Sequence, residues 1–159
     1  MIGKLAGALL LVLGGGYLCV ERNVQGRKEI RLLYELAAAL ENIEGMIRWE
    51  KAALPAAIEQ QCSRELCGAY FQKTLFLLKG ENTLQCAWRS AFSKLKVAED
   101  ILCRLELSGD EQHLTGQLQL TAQQLRQRAE QRNTDRAESE KLRVAVCTSV
   151  VGLVTILLF

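Results

Sequence analysis

Between Ile30 and Ile58 the chain reads IRLLYELAAALENIEGMIRWEKAALPAAI, and its apolar residues Leu33, Leu36, Leu40, Ile43 and Ile47 alternate spacings of three and four. That period lines one face of an α-helix. Arg31, Glu35, Glu41, Glu44 and Arg48 fall mostly off the stripe and are expected to face water. Ala37, Ala38 and Ala39 add strong helix formers. The pattern stops at Trp49-Glu50-Lys51, and Pro55, the only proline in the chain, follows. Proline lacks a backbone donor, but its fixed φ suits the first turn of a helix. The stretch therefore predicts a long amphipathic helix, a corner over Ala52 to Leu54, and a second helix opening at Pro55.

After the corner, Ile58, Cys62 and Leu66 continue an apolar face, Gly68 loosens the chain, and Tyr70, Phe71, Leu75, Phe76 and Leu78 form its most aromatic segment. Gly80 sits where a helix ends, and Thr83 is placed to cap the next one, lined by Leu84, Ala87, Trp88, Ala91 and Leu95. Ala98 to Leu107 is expected to be helical too. Ser108 and Glu111 have the spacing of a capping box, with Asp110 favourable in the first turn. No proline interrupts Glu111 to Phe159, so one helix is expected to run to the end, with Leu114, Leu118, Ala122, Leu125 and Ala129 as a heptad-like seam. Upstream, Gly26 marks a kink ahead of the Ile30 helix. No stretch reads as a strand, and the fold class is all-α.

Charge divides the chain more sharply than its balance of 20 Lys+Arg against 18 Asp+Glu suggests. Ile2 to Val20 carries only Lys4, and Val144 to Phe159 carries no charge. Crossing a bilayer core takes roughly 17–25 largely apolar residues. The expected organisation is a transmembrane helix at 1–20, a helical bundle at 21–143 and a second transmembrane helix at 144–159. A cleaved signal peptide is disfavoured because Gly16-Tyr17-Leu18 is no small-x-small site, and Tyr17-Leu18 suits a lipidated Cys19 poorly. Arg22, Arg27, Lys28 and Arg31 follow the first span, and Arg132, Arg136, Lys141 and Arg143 precede the second. Both flanks place the bundle in the cytosol. Cys62, Cys67, Cys86 and Cys103 lack a disulfide or zinc pattern and read as reduced thiols, mostly on apolar helix positions.

His113 is the sole histidine, which excludes histidine triads and multi-histidine metal sites. No phosphate-binding loop of the G-x-x-x-x-G-K-[ST] kind is present. Glu99-Asp100 and Asp110-Glu111 are adjacent acids that diverge on a helix rather than converge. Basic residues are interspersed with acids, which argues against nucleic acid. Trp49 and Trp88 read as packing anchors, with Trp49 also placed to face a partner beside the corner. Neither catalysis nor a cofactor is expected.

An N-terminal span with a basic exit, the segment IRLLYELAAALENIEGMIRWEKAALPAAI, the stretch LSGDEQHLTGQLQL and a polar stalk entering a C-terminal apolar span together resemble the stage III sporulation protein AB family of endospore-forming Firmicutes. The resemblance covers nearly the whole chain, although Leu142-Arg143-Val144-Ala145 stands where that family often has Ser-Leu-Gly. It implies a bundle like the F-type platform domain of type II secretion machines. It also implies a non-enzymatic membrane platform in the channel joining mother cell and forespore, in the mother-cell membrane around the forespore. A cytosolic secretion-type ATPase, the stage III sporulation protein AA, and other channel components would be its partners, and a homo-oligomer is compatible.

Two loops at bundle ends are the expected partner contacts: Trp49, Leu54 and Pro55 at the corner, and Asp110 and Glu111 at the start of the last helix. The rival reading is a membrane-anchored adaptor that pairs with another chain through the Leu114 to Ala129 seam.

Overall fold

A computed structural model describes residues 2–80 and 83–158, with side chains described for 25–80, 83–139 and for Lys141, Leu142, Ala145, Val146 and Ser149. Two long helices, α1 (Ile2–Glu50) and α6 (Glu111–Leu158), pair antiparallel. Polar contacts fix their register. Gly26 lies against the Arg136 guanidinium, Arg132 donates to Glu29 at 2.7 Å, Arg126 donates to Glu41 at 2.6 Å, and Lys51 pairs with Glu111. From Gly26 to Glu50 the pair extends roughly 36 Å, at about 1.5 Å per residue.

The stripe on α1 is buried as its spacing predicts: Leu33, Leu36, Leu40 and Ile43 fully, Ile47 nearly so. Leu118, Ala122, Leu125 and Ala129 of α6 are fully buried as well, with Leu114 packed at the edge of the same core. The seam is thus filled by the chain's own α1. It is not available for coiled-coil pairing with another chain, because opening it would return these side chains to water.

Between the long helices lies an insert of short elements: α2 (Leu54–Gln60), a 3-10 turn (Gln61–Ser63), α3 (Gly68–Leu78), α4 (Leu84–Phe92) and α5 (Glu99–Leu102). No strand occurs among the described residues. Trp88, Phe71 and Phe92 are fully buried in one cluster, with ring centroids 4.5 to 5.9 Å apart, and Tyr70 stacks on Phe92 at 5.6 Å. Thr83 caps α4 by accepting the Cys86 N–H, as expected.

Several local expectations are corrected. The apolar face through Cys62 and Leu66 is not one helix, because Arg64 is extended and the chain restarts at Gly68. Gly68 is where the two pieces touch: a Cβ there would lie 2.4 Å from the Cys62 carbonyl oxygen. Ala98 to Leu107 is helical only over α5; at its last residue the Trp88 indole N–H donates to the Leu102 carbonyl at 2.9 Å. The Gln85 amide donates to the Leu105 carbonyl and accepts the Leu107 N–H, both at 2.8 Å. Side chains of α4 thus satisfy backbone groups that a helix would otherwise pair internally.

At Gly26 α1 continues without a break, and the glycine admits the Arg136 head. Of Cys62, Cys67, Cys86 and Cys103 only Cys67 is buried, and Cys86 is exposed. The side chains of the apolar ends, read as membrane spans at 1–20 and 144–159, lie almost wholly outside the described residues. Among the described residues no helix is long and apolar enough to cross a membrane.

Candidate interaction surface

The two loops expected to meet a partner come together at one end of the α1/α6 pair. α1 stops because Lys51 takes a left-handed conformation with φ of 52°. The Ala52 N–H then reaches back to the Met46 carbonyl at 3.2 Å, satisfying an acceptor that the helix end leaves open. A left-handed non-glycine residue costs roughly 1–2 kcal/mol. Lys51 meets part of that cost with its ammonium, which pairs with Glu111 on α6, although an exposed pair contributes only about 0.2–1 kcal/mol. Ala53 is extended and Pro55 occupies the first turn of α2, where no side chain caps the helix.

On the α6 side, Gly109 has φ of 127°, a backbone that a side-chain-bearing residue rarely adopts. A helix cannot run through that residue, so the cap moves from the expected Ser108 to Asp110. The Asp110 carboxylate accepts the His113 N–H at 3.0 Å. Glu111 does not close a capping box; its carboxylate is engaged by Lys51.

Within this end, Trp49 is 80% exposed, with the Arg48 guanidinium 5.9 Å from its ring centroid. It is no packing anchor; Trp88 alone fills that role. Pro55, Asp110 and Glu111 are exposed, whereas Leu54 is partly buried against the core and belongs as much to the corner's packing as to its surface. The structure therefore joins the two predicted loops through one ion pair and leaves an aromatic ring uncovered beside them.

Two further arrangements have no signal in the local sequence pattern. Glu35, expected to face water, accepts the Leu66 N–H at 2.9 Å and the Cys67 N–H at 3.2 Å. Burial alone would raise this carboxyl, but the two backbone donors, together with the Cys67 thiol and the Arg64 charge, outweigh it and hold it below the usual range. Burial, reinforced by the Glu35 charge, pushes the Cys67 thiol up to about 12, so this cysteine is a protonated packing residue. Asp100 is gripped by both terminal nitrogens of Arg128, one at 2.6 Å, and that bond holds its carboxyl below the ordinary value. Of the adjacent acids, Asp100 thus braces α5 on α6, Asp110 caps a helix and Glu111 holds the corner.

The family model described as stage III sporulation protein AB (spore_III_AB) matches residues 4–159 of the chain. No curated protein and no solved structure matches it.

Proposed function

Since the chain belongs to the stage III sporulation protein AB family, whose role lies in stage III of sporulation, we propose that it is the membrane platform of a secretion-like channel between mother cell and forespore. In this reading the apolar ends at 1–20 and 144–159 anchor it in the mother-cell membrane, and the bundle at 21–143 stands in the cytosol. The bundle resembles the F-type platform domain of type II secretion. It is not an enzyme: it docks a secretion-type ATPase, the stage III sporulation protein AA, and holds it against other channel components.

The observation that carries the docking surface is Trp49, the most exposed aromatic ring among the described residues, beside the Lys51–Glu111 pair at the end of the bundle away from the apolar segments. Aromatic residues with uncovered faces are enriched where interfaces concentrate their binding energy. Two substitutions that look natural are poor probes, because Leu54→Arg disturbs the core and Asp110→Arg removes a cap worth about 0.5–2 kcal/mol. Trp49→Glu disturbs no buried contact and alters only the exposed ring and the Arg48 guanidinium beside it. Recovery of the ATPase with the full chain from sporulating cells should fall sharply in this variant while helicity by circular dichroism stays unchanged. Equal recovery would remove the docking surface from this end.

A further inference from the structure

At the opposite end of the pair, α1 and α6 enclose a cleft of about 360 Å³ lined by Arg27, Ile30, Arg31, Asn133, Arg136 and Ala137. Among the described lining residues three are arginines, one is an amide, and none is a carboxylate. Arg27 and Arg31 stand one turn apart on the same face of α1, a like-charged spacing that is mildly unfavourable unless an anion sits between them. Glu29, which lies between them in sequence, is turned to Arg132. The third arginine comes from α6 and is seated over Gly26, where a Cβ would lie 3.3 Å from Nη1 and 3.5 Å from Cζ of Arg136. Glycine at 26 thus lets this guanidinium lie close to the α1 backbone, next to the other two.

A guanidinium offers two parallel N–H donors to a phosphate, and a cluster of arginines is a fitting receptor for a phosphodiester anion. The height of the cleft points to a source. Arg27 lies about 10 Å along the helix from residue 20, and Arg136 about 12 Å from residue 144. Headgroups occupy roughly the first 5–8 Å beyond the hydrocarbon, and arginine side chains are long enough to cover the remainder. We propose that the three-arginine cleft binds the phosphate of an anionic phospholipid headgroup and so fixes the depth and rotation of the helix pair at the membrane. Its placement at a lipid surface rests on reading the apolar ends as membrane spans.

The test uses the full chain in detergent, offered equal amounts of phosphatidylglycerol or phosphatidylcholine and read by native mass spectrometry. The expected result is a phosphatidylglycerol adduct favoured by roughly tenfold or more, in keeping with about fivefold attraction per basic residue near an anionic surface. The double variant Arg31→Gln, Arg136→Gln should bring the two lipids close to parity. Gly26→Val, which keeps all three charges but displaces the Arg136 head, should weaken the preference as well. A preference undiminished in both variants overturns the cleft as the binding site. Inorganic phosphate retained as tightly as phosphatidylglycerol, with the same dependence on the arginines, assigns the site to a free phosphate and overturns the lipid assignment. Flotation with neutral phosphatidylcholine vesicles separates the two readings. A chain that does not float, yet still prefers phosphatidylglycerol in detergent, refutes the membrane spans and upholds the cleft; a chain that floats without that preference refutes the cleft alone.

Discussion

The α1/α6 pair and the insert between its helices are built from one chain but held by different forces. In the pair, Leu33, Leu36, Leu40 and Ile43 face a seam of Leu118, Ala122, Leu125 and Ala129, so stability is distributed along a repeating apolar stripe. Its ion pairs, Glu29–Arg132 and Glu41–Arg126, are exposed and add little. The insert has helices of 4 to 11 residues, too short to persist alone, and depends on single side chains reaching backbone groups. Glu35 ties α1 to the turn before α3, while Trp88 ties α4 to the end of α5 and Gln85 ties it to the segment after α5. Losing one rung of a seam weakens it by degrees, whereas losing one such tie frees an entire segment.

That contrast can be broken most directly at Trp88. Trp88→Ala removes the largest buried side chain of the insert and leaves the Leu102 carbonyl only the longer bond from the Leu105 N–H, and should cost about 3–5 kcal/mol in urea unfolding of the full chain. Amide exchange should rise first in 84–107 while 30–47 of α1 and 114–132 of α6 stay protected; equal loss of protection everywhere would make the molecule one cooperative unit and end the distinction. Leu125→Ala in the seam should cost about 2–4 kcal/mol, with exchange rising in both long helices together.

Glu35→Ala leaves two backbone donors without their acceptor and should cost about 1.5–3 kcal/mol near neutral pH. Because the folded Glu35 carboxyl is held below its ordinary value of 4.5, its contribution is present above that value and is lost as pH falls through the folded one. The stability gap between the natural chain and Glu35→Gln should therefore narrow in acid; a gap independent of pH would show that charge plays no part in the tie. The smallest effect belongs to Arg126→Ala, which should change stability by less than about 1 kcal/mol because both partners of the Glu41 pair are largely solvated.

The same contrast explains what could be read from sequence. A period of three and four residues reports burial locally, so the α1 stripe, the α6 seam and the corner before Pro55 were visible, as was the Thr83 cap with its donor three residues on. The breaks at Arg64 and after Leu102 were not visible, since the groups that stabilise them lie far along the chain: Glu35 is 31 residues before Leu66, and Gln85 is 22 before Leu107. The helix start at 108–111 offered two spacings that fit a cap, and the choice of Asp110 was made by the backbone at Gly109. At the candidate surface, the residues themselves were legible. Their meeting through Lys51 was not, because it needs the antiparallel register of the two long helices.

That register has a mechanical consequence. Because α1 arrives and α6 departs at the same end, a force drawing those two strands of chain apart peels the pair like a zipper, loading the Gly26–Arg136 rung before the Glu29–Arg132 rung and reaching Lys51–Glu111 last. A push delivered on the far tip runs instead along both helix axes at once, where every hydrogen-bonded turn shares the load. The molecule is compliant to sideways tension at one end and stiff to thrust at the other.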